Sequence, residues 1–428
     1  MSTTDTHRAI DAVWRIESAR LIAGLARIVR DVGLAEELAQ DALVAALEKW
    51  PETGIPDNPG AWLMATAKHR ALDHFRRAKL LERKHQQLGR ELKSQQEAAV
   101  ADFEFSEQGD IEDDLLRLVF VSCHPVLSTH ARVALTLRLL GGLTTTEIAR
   151  AYLVPEPTIA QRIVRAKRTL SDAKVPFEVP APQDRAARLS SVIEVIYLIF
   201  NEGYSATAGS DWMRPDLCAD ALRLGRMLAE LAPNEAEVHG LVALMEIQSS
   251  RFAARTTSDG EPILLLDQNR GLWDQLLIRR GLAALERAQR LNVLGPYVLQ
   301  AAIAACHARA HTAEETDWPQ IAELYAQLAA ITPSPVVQLN RAVAVAMASG
   351  PAAGLEIIDT LAAEPSLKSY HLLPAVRGDF LAKLGRFPEA QEEFSRAASL
   401  TSNARERELL LSRAQKAAFD AVHKAPAS

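Results

Sequence analysis

Four cations, Arg162, Arg165, Lys167 and Arg168, fall within seven positions of one another, with the amide Gln161 just ahead of them and no acid between. Guanidinium and amide side chains near the start of a helix are the groups that read base edges or clamp phosphates in a DNA groove. The elements that must position them are written into LTTTEIARAYLVPEPTIAQRIVRAKRTL, residues 143–170, which reads as a helix-turn-helix. Thr144 followed by Glu147 predicts a capping box at the start of the first helix. Pro155 and Pro157 break the chain, and Thr158 is expected to cap the second helix. There Ile159, Ile163, Ala166 and Leu170 recur at helical spacing as a buried face, leaving Thr158, Gln161, Arg162, Arg165 and Arg168 as the candidate DNA-contacting set.

Composition sets the surroundings. The 428 residues are 48% apolar and only 5% aromatic, rich in Ala and Leu, which favours helices throughout and two to four domains. The net charge of −6 is unevenly distributed: eight Lys or Arg stand between Lys68 and Arg90, whereas seven acids and no base stand between Asp102 and Asp114. Blocks of opposite sign imply different partners, or an acidic linker folded onto a basic surface. Cys123, Cys218 and Cys306 form no CxxC pair, and the neighbours Cys123 and His124 have no further ligands at zinc spacing, so neither a metal nor a cofactor is expected. No run reaches membrane-spanning length and the N-terminus lacks the order of a signal peptide, so the expectation is a cytoplasmic chain with no membrane partner.

Between Trp14 and Trp50, Leu21, Leu25, Ile28, Leu34, Leu38, Leu43 and Leu47 supply an amphipathic helical stripe. The second helix of this region is expected to expose Glu36, Glu37, Gln40 and Asp41, an acidic face suited to a basic protein. A turn-rich loop with Asp57 and Asn58 follows. The next helix carries Lys68, His69, Arg70, Arg76 and Arg77, interleaved with Trp62 and Phe75. Cations beside stacking surfaces suit DNA whose bases are being opened, although Trp62 and Phe75 also read as core.

Residues 31–49, DVGLAEELAQDALVAALEK, and 58–77, NPGAWLMATAKHRALDHFRR, resemble conserved region two of bacterial extracytoplasmic-function (ECF) sigma factors, group four of the sigma-70 family. The helix-turn-helix resembles their region four. The resemblance implies that Glu36, Glu37, Gln40 and Asp41 face core RNA polymerase, at its β′ coiled coil, with the β flap as a second contact. It also implies that Asp57, Asn58, Lys68, His69, Arg70, Arg76 and Arg77 open and read the promoter minus-ten element. Thr158, Gln161, Arg162, Arg165 and Arg168 become the minus-35 set. Three positions depart from the family pattern: Leu153 replaces the usual turn glycine, His69 stands where Asn is common, and Ala160 stands where a polar residue is common.

After the proline-punctuated VPFEVPAPQD, helical patterns continue to about Ala421. In HLLPAVRGDFLAKLGRFPEAQEEFSRAASL, residues Gly378, Leu381, Gly385, Phe387, Ala390, Phe394 and Ala397 fit the tetratricopeptide pattern, with a weaker cousin before it. Two segments fit no repeat, and their Glu202, Asp211, Arg214, Asp259, Asp267 and Asn269 suggest loops packed between repeats rather than catalysis. These segments resemble the ECF branch with a tetratricopeptide-like C-terminal extension. The expectation is therefore an all-α chain that is not an enzyme: a region-two domain at 8–80, a linker at 81–112, a region-four domain at 113–174, a Pro-rich linker at 175–184, and a tetratricopeptide-like regulatory domain at 185–421 in intramolecular contact with the sigma domains. A DNA-binding regulator with a peptide-sensing repeat domain, not itself a sigma subunit, is the alternative reading.

Overall fold

A computed structural model describes residues 3–86, 111–152, 154–205, 213–257 and 261–423. Among them the secondary structure is helical apart from one isolated bridge between Thr256 and Pro262. The chain divides into two compact units, Met1–Leu198 and Ile199–Ser428.

The first unit begins with α1 (Thr3–Val29) and α2 (Val32–Thr53), joined by only two residues. Arg30 turns the chain with φ of 56°, and the Asp31 carboxylate accepts the Leu34 N–H at 2.8 Å, satisfying an orphan donor at the start of α2. Leu21, Ile22 and Leu25 of α1 and Ala35, Leu38, Ala39, Ala42 and Ala46 of α2 are buried; the alanines let the helices approach closely. Against them packs α3 (Pro59–Gln86), through Leu63, Ala67 and Ala71. The stripe read from sequence holds at its start but not at its end, because Leu47 is 37% exposed and Val44 beside it 50% exposed.

Next come α4 (Ile111–Ser122), α5 (Thr129–Leu139), α6 (Thr145–Ala151) and α7 (Glu156–Asp172). Asp114, the last acid of the acidic run, is buried and accepts from Arg27 of α1 at 2.8 Å and Arg117 at 2.6 Å. Residues 102–110 of that run lie outside the described residues, as does Leu153 of the helix-turn-helix turn. The helix α8 (Pro182–Tyr204) crosses the division between the units. That division therefore falls after Leu198 and not at the proline-rich stretch 175–184. The reason is in the first turns of α8, where Arg188 donates to the Phe120 carbonyl at 2.8 Å and Ser191 to the Cys123 carbonyl at 2.9 Å.

The second unit continues with α9 (Pro215–Leu231), α10 (Ala236–Ser249), α11 (Gln275–Arg290), α12 (Pro296–Arg309), α13 (Trp318–Ile331), α14 (Pro335–Ser349), α15 (Pro351–Leu361), α16 (Leu372–Lys383), α17 (Phe387–Leu400) and α18 (Ala404–His423). Gly350 and Gly385, with φ of 98° and 78°, close the α14–α15 and α16–α17 hairpins in a backbone region that L side chains rarely adopt. Of the residues of the repeat pattern, Leu381, Ala390, Phe394 and Ala397 are buried in one cluster with Leu339, Ala342, Ile358 and Phe380, whereas Gly385 is exposed and Phe387 half-buried.

Among the described residues between α10 and α11 stand three short 3-10 turns, with arginines pinning the segment. Arg270 donates to the carbonyls of His307 and Ala310 at 2.7 and 2.9 Å and to Thr316 Oγ1 at 2.8 Å, and Arg255 lies 3.6 Å from the centre of the Tyr204 ring. Burial, with Arg251 and Arg270 nearby, pushes the His307 imidazole down to about 4. Of the polar residues singled out in sequence, Glu202 pairs with Arg214, Asn269 accepts from the Gly271 N–H at 3.0 Å, and Asp211 and Asp259 lie outside the described residues. These contacts hold loops in place.

Candidate nucleic-acid interface

The first helix of the pair, α6, carries a complete capping box. The Thr144 N–H donates to Glu147 Oε2 at 2.7 Å and the Glu147 N–H to Thr144 Oγ1 at 3.1 Å. Burial alone would raise the Glu147 carboxyl, but the two Thr144 bonds and Arg15, 2.9 Å away, hold it below the usual carboxylate range. The second helix, α7, buries Ile159, Ile163, Ala166 and Leu170 as the spacing predicts. Gln161, Arg165 and Arg168 are exposed and Arg162 is half-buried. Thr158 does not cap α7. The helix starts at Glu156 with Pro155 at the cap position and Pro157 in the first turn, so Thr158 is already inside the helix and half-buried, its N–H bonded to the Pro155 carbonyl at 2.9 Å.

On α3, His69, Arg70, Arg76 and Arg77 are exposed and Lys68 is half-buried. Asp57 and Asn58 precede the helix, both exposed. The Asn58 side chain accepts the Ala61 N–H at 3.0 Å, so it holds the start of the helix that presents the cations. Trp62 packs edge-on against buried Trp50, ring centres 5.3 Å apart, which accounts for it as core. The row is not purely basic: Arg70 reaches Asp41 at 3.5 Å and Arg76 reaches Asp73 at 3.7 Å, all exposed.

The acidic face of α2 differs from its expected form. Glu37 and Asp41 are exposed, but Glu36 is 2% exposed and does not face solvent. It accepts from Arg138 of α5 at 2.6 Å, pairs with Lys167 of α7, and accepts the side-chain amide of half-buried Gln40. The stem of Lys167 passes over Gly33, where an added Cβ would meet its Cδ at 3.6 Å. A carboxylate withdrawn from water needs such partners to offset its desolvation. A cleft of about 510 Å³ beside this cluster has Glu37 and His74 on one wall and Lys167 and Arg168 on the other. Sequence reasoning missed Arg138 and the inward turn of Lys167. Helical phase gives a signal for Glu36, which stands four residues after buried Val32 and three before buried Ala39.

Residues 16–80 match the family described as Sigma-70 region 2, and residues 117–170 match Sigma-70, region 4. Residues 188–289 match a family of unknown function, DUF6596. An uncharacterized protein of Rhizobium meliloti, R00370, is 42% identical over 393 residues, 90% of this chain and 90% of its own. The probable ECF RNA polymerase sigma factor SigI of Mycobacterium tuberculosis is 26% identical over 179 residues, 42% of this chain and 60% of its own. The ECF RNA polymerase sigma factor SigK of Mycobacterium ulcerans is 31% identical over 157 residues, 35% of this chain but 78% of its own. With both sigma regions matched on the helices that carry the cationic and acidic faces, the chain belongs to the ECF RNA polymerase sigma factors.

Proposed function

We propose that this sigma factor, a transcription initiation factor and not a catalyst, seats on core RNA polymerase through Glu37, Gln40 and Asp41 of α2, flanked by the exposed apolar Val44. In this reading Lys68, His69, Arg70, Arg76 and Arg77 of α3, with Asp57 and Asn58 before it, engage the minus-ten element. Gln161, Arg162, Arg165 and Arg168 of α7, with Thr158 in its first turn, engage the minus-35 element. The observation that carries the reading is the two-sidedness of α7: an apolar face packed into the unit, and exposed Gln161, Arg165 and Arg168 away from it. Phosphate contacts by the arginines supply salt-dependent affinity, and the amide and guanidinium contacts to base edges supply sequence choice.

The packed arrangement of α2 against α7 then belongs to the chain before it engages polymerase. Lys167 sits on the DNA-reading helix and Glu36 on the polymerase-reading helix, so their ion pair couples the two surfaces. The helical second unit, read as tetratricopeptide-like hairpins, regulates initiation.

In vitro transcription with bacterial core polymerase on the promoter of the chain's own operon tests the assignment. Full-length protein should initiate specifically, and Arg162→Ala with Arg165→Ala should abolish promoter-specific product while core binding persists. A chain ending after Ser205 keeps α8 and its Arg188 and Ser191 contacts whole; initiation equal to that of the full chain would refute the regulatory role of the second unit.

A further inference from the structure

Beyond the first turn of α7, every exposed side chain but one is polar. The exception is Val164, 64% exposed on a helix whose other side is sealed by Ile159, Ile163, Ala166 and Leu170. Successive helical residues are turned by about 100°, so those four gather on one side. Gln161, Val164, Arg165 and Arg168 then fall within an arc about 100° wide on the opposite one. Val164 therefore stands about one turn after Gln161 and one turn before Arg168, inside the face that carries the amide and the guanidinium groups.

Packing does not account for this valine. The cleft it shares with Glu37 and His74 leaves it open to water. A β-branched residue at a solvated helix position loses rotamer freedom and has a lower helix propensity than alanine. A lone exposed valine is ordinary on a helix that meets only water. On a helix whose free face enters a groove, it becomes part of the contact surface.

The chemistry of that contact is narrow. Valine has no polar atom, so it can neither clamp a phosphate nor bond a base edge, and against either it would remove a polar group from water without replacing the lost bond. The major groove presents nitrogen and oxygen edges and one apolar feature, the C5-methyl group of thymine.

We propose that Val164 is a specificity-determining residue that recognises the 5-methyl group of one thymine in the minus-35 element. The inference rests on the assignment of α7 to that element, and adds to it a contact that charge and hydrogen bonding do not make. Burying one methyl group against the valine corresponds to about fourfold in affinity.

The test titrates the promoter of the chain's own operon with the full chain bound to core polymerase. Each thymine of the minus-35 element, on either strand, is replaced in turn by uracil, which keeps the hydrogen-bonding edge and lacks only the methyl group. At one thymine, uracil should lower affinity about fourfold. Val164→Ala should show the same loss on the thymine promoter and no further loss with uracil, its melting temperature not lowered, whereas Arg168→Ala should bind both promoters more weakly and keep the fourfold difference. Uracil without effect at every thymine, a uracil effect that survives in Val164→Ala, full affinity of Val164→Ala for the thymine promoter, or an element with no A·T pair would each overturn the proposal. The minus-35 assignment would survive those outcomes as long as Arg168→Ala still weakens binding. Failure of the polymerase-bound chain to protect the element at all would overturn both.

Discussion

Replacing Glu36 with Gln preserves shape and removes the charge that ties α2 to α5 and α7. The glutamate is 2% exposed, and the side chains of its partners Arg138 and Lys167 are 18% and 19% exposed. Removing one member of a buried ion pair costs about 3–5 kcal/mol, mostly because the remaining charge is stranded. Both stranded cations keep a fifth of their surface in water, which places the cost near the lower end, about 3 kcal/mol. That loss applies only to the packed arrangement in which the cluster exists. Separation of α2 from α7 then becomes easier by roughly a hundredfold. Since the binding-competent fraction multiplies the apparent affinity, Glu36→Gln should tighten the complex with core polymerase by up to about a hundredfold.

Two readouts check this. The three cysteines are buried, so dyes on Glu48→Cys and Asp172→Cys report the α2–α7 separation selectively. The distance distribution should broaden toward longer values in Glu36→Gln, and polymerase titration should show the gain in affinity. Weaker polymerase binding with an unchanged distance would refute the reasoning, because it would make Glu36 the direct polymerase contact expected from sequence. No change in either would show that the cluster holds nothing closed.

Substituting Arg162 and Arg165 with Ala should lower the slope of log affinity against log salt by about 0.9 for each phosphate no longer neutralised, measured by promoter-fragment titration with polymerase present. Charge reversal at Glu37 and Asp41 should reduce holoenzyme formation at least tenfold on a sizing column. Fold stability should barely move, since the Asp41–Arg70 pair is exposed and such pairs contribute about 0–1 kcal/mol. In the second unit, burial works to raise the Glu406 carboxyl, but the bonds from His371 at 2.9 Å and from Thr401 prevail and hold it below the usual range. A depressed carboxylate stabilises above its unfolded value and loses that contribution as pH falls through the folded one, so urea midpoints should drop between about pH 5 and 3. The drop should be smaller in His371→Gln.

The helix-turn-helix was legible because its signals are local: a capping pair three residues apart, two prolines, and one apolar face at helical spacing. Thr158 misled because a hydroxyl after a proline looks like a cap, while Pro155 itself occupied that position and Pro157 already belonged to the first turn. Glu36 misled for a different reason. In the string Glu36-Glu37 the two acids look alike, and what separates them is Arg138, 102 residues away. Asp114 is the same case, an acid at the end of an acidic run that is consumed by Arg27, 87 residues earlier.

These long-range pairs also explain how an acidic chain carries a DNA-reading helix. A helix suited to a basic partner attracts the basic helices of its own unit: Arg70 of α3 reaches Asp41 at 3.5 Å, and Lys167 of α7 leans inward to Glu36 while Arg165 and Arg168 stay outside. The division follows helical phase: Lys167 stands four residues after buried Ile163 and three before buried Leu170, on the edge of the packed face, whereas Arg165 and Arg168 project from the free side. Salt should therefore separate the two uses of one helix. Raising ionic strength screens the exposed arginines and weakens promoter binding, but leaves the buried Glu36 cluster nearly untouched. In the label experiment the α2–α7 distance should stay constant between about 0.05 and 0.5 M salt, a range over which the Debye length falls severalfold and DNA affinity collapses. An interface that opened in step with the loss of DNA binding would mean that its charges are solvated, and that the pairing of α2 with α7 is a surface attraction rather than a buried lock.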